Sequence, residues 1–186
     1  MPINRHPDLD EQNLTSRQRE VFTQIVGGKR GLVQGPLRVW LQSPELADRA
    51  QALGAFCRYD TVLPPRLSEL AILVTGAFWK SGFEWAVHAP IASSAGLSND
   101  VIEAIRLGRE PEFKKEDELA IYDFANQLHR QHIVDEAVHS RVVSMFGTQA
   151  AVELVGLLGY YTLISMTINA FEVPLPAEET DPFFES

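Results

Sequence analysis

Residues 69–88, Glu-Leu-Ala-Ile-Leu-Val-Thr-Gly-Ala-Phe-Trp-Lys-Ser-Gly-Phe-Glu-Trp-Ala-Val-His, set two carboxylates and an imidazole in an otherwise apolar run. Glu84 and His88 stand four apart, so a helix through them puts both on one face. Glu69 comes earlier, among Leu, Ile, Val and Ala at helical period. Burying a lone carboxylate is costly, so an acid in such a run needs a partner or a task.

The rest of the chain reads as helices. Thr15 or Ser16 caps a helix to Val26, with Thr15 and Gln18 at capping-box spacing and Gly27-Gly28 as the stop. Pro36 opens a short helix through Leu41, and Ser43-Pro44-Glu45 starts another that runs to about Tyr59. After Pro64-Pro65 the key helix spans about 66–79, and a second spans 81–96 with a kink at Pro90. Ser98 caps a helix that Gly108 ends. Residues 116–131 are amphipathic, and Asp135 and Thr148 start two further helices divided at Gly147. No stretch alternates with the period of a strand between hairpin turns. The expectation is an all-α single domain over 1–186 with about eight helices, a core motif at 66–108, a loose arm at 1–13 and an irregular tail at 174–186.

Composition narrows the function classes. The net charge is -9 with no basic stripe, which argues against nucleic acid as a partner. The lone Cys57 excludes an intrachain disulfide and a multi-cysteine zinc site. The start has no apolar h-region. The uncharged run 154–170 carries Gly, Thr, Ser, Asn and Tyr and is shorter than the ~20 residues of a span. A cytoplasmic protein without membrane contact is expected. Val152, Leu154, Val155, Leu157, Leu158, Tyr160, Leu163 and Ile164 cover most of the last helix, so part of it is expected at a subunit interface.

Glu69, then eleven residues, Ser81, two residues, Glu84, three residues and His88 form a pattern that resembles the carboxymuconolactone decarboxylase family, which includes AhpD-like alkylhydroperoxidases. The region 67–108 is similar to the family core, and Arg38-Val39-Trp40 and Asn169-Ala170-Phe171 resemble the flanks of a subgroup. The resemblance implies an AhpD-like helical fold assembled as a homotrimer or homohexamer. In the redox branch a Cys-x-x-Cys pair does the chemistry with Glu and His. Ser81 and Glu84 occupy those two positions here, and neither supplies a thiolate. The decarboxylase branch resembles this chain in having Glu at the Glu84 position and His four later.

These readings point to a cofactor-free, metal-free lyase-like enzyme acting on a small carboxylated or lactone substrate. Loss of CO2 leaves an electron pair that must be held and protonated. Glu69, Glu84 and His88 are the candidate catalytic groups. Ser81, Trp85 and Arg66 are the candidate substrate contacts. Isomerisation and lactone hydrolysis draw on the same trio. Each residue also has a structural reading: Ser81-x-x-Glu84 is a capping box, Glu69 a solvated helix acid, His88 a satisfied core histidine, Trp85 a core or subunit contact, and Arg66 a surface ion-pair partner. A thiol peroxidase using Cys57 and a non-catalytic oligomeric binding protein are the competing functions.

Overall fold

The computed structural model describes residues 5, 7, 9–176 and 179–184, so parts of the expected arm and tail lie outside the described residues. It contains α1 (Ser16–Gly27), α2 (Pro36–Trp40), α3 (Pro44–Tyr59), α4 (Pro65–Phe78), α5 (Gly82–Ser94), α6 (Asn99–Arg106), α7 (Glu116–Gln131) and α8 (Glu136–Phe171), with no strand among the described residues.

Helix α4 is the hub. Pro65 stands in its first turn, where a missing N–H costs nothing. Every residue from Leu67 to Gly76 is buried, because α5, α6, α7 and α8 all pack on it. A helix apolar on all sides can only sit inside other helices. It ends in a Schellman turn. Lys80 adopts a left-handed φ of 48°, its N–H reaches Ala77 O at 3.2 Å, and the Ser81 N–H reaches Gly76 O at 2.9 Å. The chain thus reverses within three residues, and α5 folds back along α4. This reversal brings position 88 opposite position 69.

Helix α5 continues through Pro90 and stops where Gly96 takes φ 94°. The Thr15–Gln18 capping box is formed. The two expected helices on either side of Gly147 are joined as α8, with non-helical backbone at Gly147 (φ 86°, ψ 164°) marking the kink between them. Trp40 donates from Nε1 to Thr167 Oγ1 at 2.9 Å and so ties α2 to α8 inside the core. Helix α8 is long and apolar enough to cross a membrane, and 56% of its most apolar window is buried against the rest of the chain.

Candidate functional site

Four carboxylates are buried among the described residues: Glu69, Glu84, Glu118 and Glu153. Two of them have structural partners. Glu153 accepts from the Val62 N–H at 2.7 Å and from Gln149 at 2.8 Å, which fixes the α3–α4 connection. Glu118 is held by Arg66 and Lys115. Glu69 and Glu84 both meet His88. The imidazole lies 2.6 Å from Glu69 through Nδ1 and 2.8 Å from Glu84 through Nε2. Both distances suit charge-assisted bonds, and only the doubly protonated ring donates from both nitrogens.

His88 is 2% exposed. Burial by itself pulls its pKa down, but the Glu84 charge and the bonds to Glu69 and Glu84 outweigh it, so the net value is raised to about 9. Tyr161 presents an edge-on ring to the imidazole at 5.2 Å, and Tyr160 packs edge-on against Tyr161 at 5.4 Å. Burial pushes the Tyr160 hydroxyl up to about 12. That hydroxyl meets Arg30 Nη2 at 3.0 Å.

A cavity of about 40 Å3 opens on Glu84 and His88. Its walls come from five places in the chain: Arg30 and Gln34 before α2, Leu37 on α2, Arg58 on α3, Phe83 and Val87 on α5, and Tyr160 and Tyr161 on α8. Arg30 Nε is buried there without a hydrogen-bond partner. Gly54 makes the close approach possible, because a Cβ there would stand 2.0 Å from the Tyr160 hydroxyl and 2.4 Å from Arg30 Nη2.

The trio Glu69, Glu84 and His88 is therefore brought together, and the three named substrate contacts are not. Arg66 does not line this cavity; it pairs with Asp117 at 2.6 Å and with Glu118, clamping α4 to α7. Trp85 is buried on the far side of α5, edge-on to Phe183 at 5.3 Å. Ser81 is fully buried, caps nothing with its side chain, and its Oγ has no partner. The capping box expected from Ser81 and Glu84 is thus not formed, because Glu84 turns inward to the imidazole. Sequence reasoning missed Arg30, Tyr160 and Tyr161. A pair of tyrosines in an apolar helix was the available signal, since a buried phenol requires a polar neighbour.

Cys57 is fully buried, and burial raises its thiol to about 11. It is a neutral thiol at pH 7, without the thiolate that attack on a peroxide needs.

Residues 44–126 match the family model described as carboxymuconolactone decarboxylase family. This region holds all of α3 to α6, including the Glu69–His88–Glu84 cluster. Among solved structures, the apo debrominase Bmp8 is similar at 15% identity and TM-score 0.71, over 91% of this chain and 90% of that one. An uncharacterized peroxidase-related protein from Silicibacter sp. TM1040 is similar at 16% identity and TM-score 0.73, over 92% and 90%. At these identities the likeness establishes the AhpD-like helical fold. No curated protein matches the chain.

Proposed function

We propose that this protein is a cofactor-free acid-base enzyme that decarboxylates, or otherwise moves a proton on, a small carboxylated or lactone substrate. The observation that carries this reading is the imidazole bridging two buried carboxylates at the floor of a cavity flanked by Arg30 and Arg58. Neither Glu84 nor His88 is spent on backbone groups, as a purely structural pair would be.

The roles follow from position. Glu69, deepest in α4, fixes the ring through Nδ1 and stabilises its charge. His88 stores a proton at Nε2. Glu84 meets that nitrogen and lines the cavity, so it relays the proton to the carbon left electron-rich by loss of CO2. Arg30 and Arg58 bind the negative oxygens of substrate and enolate, which is where charge develops. The cavity is far below the ~300 Å3 of a typical ligand site, so the wall carrying Arg30 and Gln34 moves aside when substrate binds. We further propose that the working form is a homo-oligomer, trimer or hexamer. Helix α8 leaves Val152, Val155 and Met166 exposed, and α3 leaves Leu53 and Phe56 exposed.

The test is a screen of lactone and keto acids with wild type, His88→Ala and Glu84→Gln. Turnover should fall by about 10²–10⁴-fold in either variant, the usual contribution of a placed proton donor. Turnover unaffected by both substitutions would end this reading. Peroxide consumption lost in Cys57→Ser would replace it with thiol chemistry.

A further inference from the structure

A second, much larger cavity lies elsewhere. It measures about 610 Å3 and shares no lining residue with the site at His88. It sits where the ends of α4 and α6 meet the second half of α7, and Pro182 and Phe183 of the tail form one rim. Three features stand together in it.

The first is charge. Lys80, Arg106, Arg109 and Arg130 line it, and among the described residues no Asp or Glu does. This is a local reversal in a chain of net charge -9. A concave, low-dielectric wall of one sign concentrates ions of the other. Glu103 and the Pro182 carbonyl hold Arg106 at the rim, and Asn126 Oδ1 accepts from Arg130 Nε at 2.8 Å, which orients that guanidinium. A guanidinium fixed in this way suits two-point binding of a carboxylate.

The second feature is a planar floor. Phe78 and His129 stack at 5.0 Å with 16° between their planes. His129 Nε2 meets Thr75 Oγ1 at 2.9 Å, and that hydroxyl donates to Ala71 O at 3.0 Å. Burial lowers the His129 pKa to about 4, so the ring is neutral and belongs to the floor, not to the charged set. The third feature is an apolar side, made of Val74, Ala77 and Ile105. A floor of this kind favours a flat aromatic body over a bare inorganic ion.

We propose that this cavity is a second binding site, for a small aromatic carboxylate whose ring lies on Phe78 and whose carboxylate meets Arg109 and Arg130. The volume falls within the usual range for sites that enclose small molecules. The inference does not depend on the reaction assigned to His88.

Calorimetric titration of the full chain with sodium benzoate, benzyl alcohol and inorganic phosphate tests it. Benzoate should bind at least about ten-fold more tightly than either of the others, since each lacks one of the two recognised parts. The Arg109→Ala, Arg130→Ala double variant should weaken benzoate by about ten-fold or more, and Arg109→Lys, Arg130→Lys should recover only part of that loss, because lysine keeps the charge but not the two-point fork. His88→Ala should leave benzoate binding unchanged. Benzyl alcohol or phosphate binding as tightly as benzoate would overturn the proposal. So would benzoate affinity that ignores the double variant, or that disappears in His88→Ala.

Discussion

His88 Nδ1 lies 2.6 Å from Glu69 Oε2, although nineteen positions and a helix reversal separate the two residues. With Glu84 on the other nitrogen, the ring is a buried cation between two acids. Its neighbours hold its pKa near 9, against an ordinary value of 6.5.

That shift predicts a pH dependence of stability. The folded protein holds the His88 proton more tightly than the unfolded chain does. The stabilisation is therefore complete below about pH 6.5 and is lost as pH rises through about 9. It is on the order of 3 kcal/mol. Urea unfolding at pH 6 and pH 9.5 should show this loss in wild type and much less of it in His88→Asn. An identical pH slope in the two proteins would show that the imidazole is not held charged.

Arg66 is expected to matter for folding and not for turnover. Arg66→Ala leaves Glu118, whose side chain is 4% exposed, with Lys115 as its remaining partner, 3.2 Å away. The expected cost is about 1–3 kcal/mol. A lower melting temperature with unchanged kcat and KM is the predicted pair of results. A raised KM without loss of stability would instead restore Arg66 to substrate binding.

Gly54 should tolerate no larger residue. A methyl group at that position would stand 2.2 Å from Tyr160 Cζ, so Tyr160 and Arg30 would both have to shift. Gly54→Ala should cost about 1–3 kcal/mol by overpacking, despite the better helix propensity of Ala. It should also reduce turnover, because the displaced pair forms the cavity wall. Circular dichroism melts with parallel rate measurements check both effects.

The exposed apolar residues on α8 and α3 predict self-association. Val152 is 66% exposed and Val155 47%. Sedimentation at micromolar concentration should give a trimer or larger assembly. The Val152→Asp, Val155→Asp double variant should shift it toward monomer. A wild-type monomer would show that these residues do not form a subunit interface.

The sequence alone determined the helices and most of their ends, because these depend on neighbours a few positions apart. The Thr15–Gln18 box, the proline starts of α2 and α3, and the Gly96 stop are all local chemistry. It also picked out Glu69, Glu84 and His88, since polar groups in an apolar run demand an explanation. Ser81, Trp85 and Arg66 were readable as residue types, but not as places. Only the tertiary structure decided which way they face: Ser81 into the core, Trp85 toward Phe183, and Arg66 across to α7. The same holds for Arg30 and Tyr160, which are 130 positions apart and meet beside Gly54. Periodicity fixes which residues share a face of one helix. Which faces meet is set by packing the whole core around α4, and no window along the chain contains that information.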